Sequence, residues 1–160
     1  MVNLLDFFAV QETITTQSGI LLNACLCDFG LARVTATSKL FNQKFSTVVG
    51  LSPRYAAPEV FARSHLPTLV PDPEEEKKAD VFAFGVVAWE LMTREVPWDD
   101  TPNEQIEVRV RSGKRLTPPL VNGDILIQTM NDIASACWVE QPPKRPTIQD
   151  IHKRLNSLDL

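Results

Sequence analysis

One stretch limits the folds open to this chain more than any other. From Asp80 to Thr93 the apolar residues Val81, Phe82, Phe84, Val86, Val87, Trp89, Leu91 and Met92 fall on nearly every side of a helix. A helix without a polar face is buried all round, so this one is expected to be the pillar about which the rest packs. Its apolar run, Val81 to Leu91, is too short to span a bilayer, which takes ~20 residues. The remaining chain must therefore supply the cover. At 160 residues it makes one domain and can bury roughly 68–70% of its unfolded surface.

The covering elements read as mostly helical. Thr101-Pro102-Asn103-Glu104 predicts a helix start with Thr101 as cap, Pro102 at the first position and Glu104 closing a capping box. That helix runs to Ser112 and stops at Gly113. Leu126, Met130, Ile133, Ala134 and Cys137 share helical spacing, as do Ile148, Ile151, Leu155 and Leu158 behind a Thr147–Asp150 cap. Ile20-Leu21-Leu22 and Cys25-Leu26-Cys27 read as two short strands joined at Asn23-Ala24. Residues 1–17 are expected to be an irregular leader, with a helical turn or two over Leu4–Val10 and loop from Gln11 to Gly19. Residues 30–57 lack periodicity, and a long structureless stretch inside a domain is usually functional. Residues 64–78 form a second irregular stretch, ending in the Glu74–Lys78 charge run, which reads as a solvated face.

Composition removes several function classes. Sixteen Lys and Arg against 20 Asp and Glu leave a net charge of −4. Electrostatic nucleic-acid binding needs a basic face, and a polybasic membrane module needs a basic cluster, so neither partner is expected. Three Cys, an odd number, do not make a disulfide framework. Cys25 and Cys27 have no second pair, and His65 and His152 stand alone, so no zinc site is expected. Free thiols and the lack of a basic region ahead of the first apolar stretch point to an intracellular protein, cytosolic or nuclear, with the cytoplasm as the expected location.

Five motifs then fall in order. Asp28-Phe29-Gly30 follows a strand, and Ala57-Pro58-Glu59 begins 29 residues after Asp28. Asp80-Val81-Phe82-Ala83-Phe84-Gly85 opens the pillar helix, and Pro97-Trp98 follows it. Cys137-Trp138 precedes Arg145-Pro146. This order resembles the C-terminal lobe of a protein kinase of the tyrosine-kinase-like group, most of whose members phosphorylate Ser or Thr. The resemblance covers residues 18–158. It implies a mainly α fold with a short hairpin and without the N-terminal β-lobe. The hairpin and the Asp-Phe-Gly motif occupy 20–30, the activation segment 31–59, an insertion 64–78 and the helical subdomain 80–158.

The resemblance also implies roles. Asp28 is the magnesium ligand, since a hard, short carboxylate must hold Mg²⁺ against the ATP phosphates. Leu21, Cys27 and Asp28 line the ATP site. Phe29, Gly30, Ser38, Ser46, Thr47 and Ser52 belong to the activation segment, with Ser38, Ser46 and Thr47 as phosphoacceptor candidates. Leu51 and Ser52 stand where the family has Gly and Thr. Ala57, Pro58, Glu59, Asp80, Gly85, Trp138 and Arg145 are structural. Glu59 and Arg145 form an ion pair, for which the planar guanidinium fork suits a carboxylate. Asp80 braces the catalytic loop, alongside its plain reading as a helix cap.

Much of the family's machinery has no counterpart. Only 27 residues precede Asp28, too few for a five-stranded lobe, and no Gly-rich phosphate loop occurs. The base position falls on Ile14, which cannot accept a proton, and Gly19 stands where a second metal-binding Asn belongs. Three readings follow: a piece of a protein Ser/Thr kinase, inert by itself; a pseudokinase module that binds partners; or a retained phosphotransferase. The partners implied are protein substrates, or a protein supplying the missing lobe over Ile20, Leu22, Leu26 and Phe29.

Overall fold

The computed structural model describes residues 52–66 and 72–158 in full, and the backbone of 8–16 and 19–26. Two strands, β1 (Phe8–Thr16) and β2 (Gly19–Leu26), pair antiparallel. Five helices follow: α1 (Pro58–Ser64), α2 (Pro73–Thr93), α3 (Asn103–Arg111), α4 (Ile125–Cys137) and α5 (Ile148–Asn156). Short 3-10 turns precede α1, at Pro53–Tyr55, and α5, at Pro142–Lys144. The described architecture is mainly α.

The hairpin corrects the reading of 1–27. Asn23 and Ala24 do not turn; they lie inside β2, opposite Glu12 and Val10. The pairing closes at Thr16 opposite Gly19, so 11–16 and 19 of the expected loop, and 8–10 of the expected helical turn, are strand instead. Two physical reasons account for this. Thr13-Ile14-Thr15-Thr16 is a β-branched run that suits a pleated strand, and Asn-Ala lacks the glycine that a tight hairpin turn favours. A register irregularity between Val10 and Glu12 absorbs Gln11.

The second correction concerns 64–78. α2 begins at Pro73, so the last part of the expected insertion is helix. Asp72 caps it by accepting a hydrogen bond from the Glu74 N–H at 3.0 Å. Pro73 fits the first turn, and Glu74, Glu75 and Glu76 suit the positive end of the helix dipole. Asp80 therefore sits within the helix and is not its cap. Residues 67–71, like Cys27 to Leu51, lie outside the described residues.

Downstream of Asp80, α2 is the buried pillar as far as Trp89. Val81, Phe82, Ala83, Gly85, Val86, Val87, Ala88 and Trp89 are all buried. The pillar is not buried all round to its end: Leu91 is 68% exposed, and Phe84 and Met92 are half-buried. The helix packs most extensively against α4, through Ile133, Ala134 and Cys137. α2 ends on Arg94 in the left-handed region (φ 59°). α3 departs from expectation at its start: Pro102 holds the cap position, and the Thr101 hydroxyl donates to Asp100 Oδ1 at 2.8 Å. No capping box forms there. α5 has one, with Thr147 and Asp150 bonded reciprocally.

Candidate functional site

The sequence-derived chemical residues divide in two. Asp28, Cys27, Phe29, Gly30, Ser38, Ser46 and Thr47 lie outside the described residues. Ile14 and Leu21 lie opposite each other across the β1–β2 register. Among the described residues, no group of three His, Cys, Asp or Glu side chains could hold a metal ion. The described part of the site is the segment from Ser52 to Glu59 and what holds it.

Ser52 leads into the 53–55 turn, its carbonyl accepting the Tyr55 N–H at 3.1 Å. The turn is tied to α2 and to the loop behind it. Tyr55 Oη donates to Glu90 Oε2 at 2.9 Å, and Arg54 Nη1 donates to the Pro97 carbonyl. The following residue, Trp98, is buried with φ 58°. A bulky side chain there is strained and persists only where its surroundings over-determine it. Arg54 on Pro97 and the Thr101 N–H on the Trp98 carbonyl, at 2.9 Å, provide that restraint. Ala57, fully buried, and Pro58, also buried, start α1.

Glu59, next along α1, meets Arg145 in a bidentate pair. Arg145 Nη1 donates to Glu59 Oε1 at 2.6 Å and Nη2 to Oε2 at 2.9 Å. The Arg145 side chain is 0% exposed and that of Glu59 12%. The remaining guanidinium hydrogens reach the carbonyls of Val139 (2.8 Å), Lys78 (2.9 Å) and Glu140 (3.3 Å). The buried cation is thus fully partnered, which burial of a charge demands. Lys78 Nζ donates to the Arg145 carbonyl at 2.6 Å and the Pro146 carbonyl at 3.1 Å. The end of the charge run is therefore a brace and not part of a solvated face, while Glu74 and Lys77 do face solvent and pair there.

Three other anticipated positions fall nearby. Asp80 keeps part of its surface in solvent and its side chain makes no hydrogen bond among the described residues; its carboxyl is nevertheless partly desolvated, which raises its pKa, with the like charge of Glu76 adding to the rise. Gly85 lies under the α4 terminus, where an added Cβ would stand 2.7 Å from both Cys137 Cβ and Trp138 Nε1. Burial pushes the Cys137 thiol up to about 12, so it stays protonated and inert. An open groove of about 270 Å³ beside the ion pair is lined by Pro58, Glu59, Ala62, Glu75, Arg111, Glu140 and Pro142. Its carboxylates already have partners in Arg145, Arg63 and Arg115.

Sequence reasoning missed Arg115, Glu90 and the brace at Lys78. It counted Phe82 only as an apolar pillar residue. Phe82 lies under two guanidinium groups, with the Arg115 and Arg145 Cζ atoms 5.3 and 5.1 Å from its ring centroid. Phe82 stands inside a recognised motif and could have been suspected. Arg115, in an ordinary basic run after α3, carries no spacing signal.

Residues 17–155 match the family model described as protein tyrosine and serine/threonine kinase. A probable serine/threonine-protein kinase of Dictyostelium discoideum, drkC, is 35% identical over 135 residues, which is 83% of this chain and 16% of the relative. A putative mitogen-activated protein kinase kinase kinase 7-like protein of Drosophila melanogaster is 33% identical over 159 residues, 94% of this chain and 36% of the relative. The human mitogen-activated protein kinase kinase kinase 7 is 32% identical over 135 residues, 83% of this chain and 19% of the relative. The chain thus spans well under half the length of each of these curated relatives.

Proposed function

Because the chain belongs to the protein tyrosine and serine/threonine kinase family, we propose that it is the helical, substrate-side part of a serine/threonine kinase domain. The whole domain would transfer the γ-phosphoryl group of ATP to Ser or Thr of protein substrates. The observation that carries the reading is the match itself, which runs from the hairpin to α5. The bidentate tie between the segment after the activation region and the loop before α5 supports it. In this reading Ser52–Tyr55 faces the substrate, 31–59 is the activation segment with Ser38, Ser46 and Thr47 as acceptors, and Asp80 braces the catalytic loop.

Asp28 would hold Mg²⁺ against the phosphates of ATP, and Leu21 and Cys27 would border the nucleotide. The donor set in this sequence is incomplete for that chemistry. Gly19 and Ile14 occupy the positions of the second metal ligand and the base, and one carboxylate does not make an octahedral magnesium site. Positioning, metal and base act as a unit in phosphoryl transfer, so their loss does not leave proportionate activity. The chain by itself is therefore inert.

The test is phosphate transfer from radiolabelled ATP with Mg²⁺ to a generic Ser/Thr protein substrate. The chain should give the same background as Asp28→Ala; transfer abolished by Asp28→Ala would overturn the reading. Ile14 favours a second reading, a pseudokinase module that binds protein partners. An uninterrupted genomic and transcript sequence that retains Ile14 at the base position would select it.

A further inference from the structure

Two arginines from different parts of the chain grip one short turn. Arg115, after α3, donates from Nε to the Trp138 carbonyl at 2.9 Å and from Nη2 to the Glu140 carboxylate. Arg145 donates from Nε to the Val139 carbonyl at 2.8 Å and from Nη2 to the Glu140 carbonyl at 3.3 Å. Three successive carbonyls, 138 to 140, are thus divided between the two forks. Both guanidinium groups also lie over the Phe82 ring, at 5.3 and 5.1 Å. Each guanidinium is answered by its own carboxylate: Glu140 for Arg115 and Glu59 for Arg145.

We propose that Arg115 is a positioning residue for the Glu59–Arg145 pair, acting through the 138–140 turn and the Phe82 ring. The Arg145 side chain is fully buried, and it holds Glu59 through two bonds, at 2.6 and 2.9 Å. A shift of the turn that holds its Nε displaces the fork from the carboxylate. Arg115 fixes the same turn through the Trp138 carbonyl and the Glu140 carboxylate, and it is anchored in turn by the Val110 and Lys114 carbonyls at 2.9 and 2.8 Å. It forms no hydrogen bond with α1 among the described residues. A disturbance at the exposed Glu140 end therefore reaches Glu59 on α1 from outside. The coupling rests on this geometry alone and holds whether or not the protein transfers phosphate.

Backbone hydrogen exchange on the full chain tests it. Arg115→Gln should raise exchange several-fold at the α1 amides of Val60 to Ser64. Arg109→Gln, which removes only a 3.5 Å contact to Asp100, should leave them unchanged. In an Arg145→Gln background, Arg115→Gln should add nothing further in α1. Arg115→Lys keeps the charge but not the fork, and should raise α1 exchange by less than the Gln variant; this arm stands if Arg145→Gln does not fold. Changes confined to 110–116 and 138–140, or additive effects of the two arginines on α1, would overturn the proposal.

Discussion

Gly85 shows how one residue can reverse a general rule. Gly to Ala within a helix ordinarily stabilises by about 1 kcal/mol, because alanine restricts the unfolded chain. At Gly85 the new methyl would meet Cys137 Cβ and Trp138 Nε1 at 2.7 Å, inside the closely packed α2–α4 seam. Overpacking of this kind costs ~1–3 kcal/mol. Gly85→Ala should lower the denaturant midpoint, and a raised midpoint would show that the seam gives way freely. Arg145 tests a different term. Removing one partner of a buried ion pair leaves the other charge uncompensated, at a cost of ~3–5 kcal/mol. Arg145→Ala should show a loss of that order in chemical unfolding; a loss under about 0.5 kcal/mol, as for a surface site, would contradict the observed burial. Glu59 and Arg145 were legible in the sequence because each sits in a motif with few roles open to it. Arg115 and Lys78 were not, because hydrogen bonds to backbone carbonyls leave no pattern in side-chain spacing; Glu90 was not, because the hydroxyl it accepts from, on Tyr55, lies 35 residues away in sequence.

At the scale of elements, apolar periodicity found the helices but not all of their ends. The pillar's apolar face begins after Lys78, so its first turns, solvent-facing and charged, carried no periodic signal. Their signal was chemical: Asp72, Pro73 and three Glu form a helix start. The hairpin was legible as strand, but its turn was misplaced, because the apolar grouping of 20–22 and 25–27 outweighed the β-branched run before it. The α5 cap was legible throughout, since Thr147 and Asp150 carry both halves of the reciprocal bond. Thr147→Ala should cost ~1 kcal/mol in unfolding free energy. The Thr147 hydroxyl, followed by its backbone N–H, holds the Asp150 carboxyl below its ordinary pKa of 3.8. A carboxyl depressed in the folded state stabilises above its unfolded pKa and ceases to do so as pH falls through its folded pKa. The gap between parent and Thr147→Ala should therefore be full at neutral pH and narrow below pH 3.8. A gap that stays constant through that range would mean that the carboxylate adds nothing to the cap.

For the molecule as a whole, the question is where its stability resides. The buried cluster among the described residues extends from Tyr55 to Ile151, with most of its members on α2 and the α4 face that meets it. α3 and α5 each bury only one or two residues, while Val108 and Ile148 on them are 67% and 52% exposed. Elements with few buried apolar contacts open at lower free energy than those at the centre of a core. The last prediction follows from that ranking. In hydrogen exchange on the native chain, the amides of 81–89 and 133–137 should be the slowest, and should exchange together as one unit. α5 should open earlier, since Ile151 is its one buried residue. Adding denaturant below the midpoint should accelerate α5 first and leave the α2–α4 seam on the global unfolding line. If α5 and the seam exchange at the same rate under all conditions, the helical part opens only as a whole, and the ranking by burial does not describe its energetics.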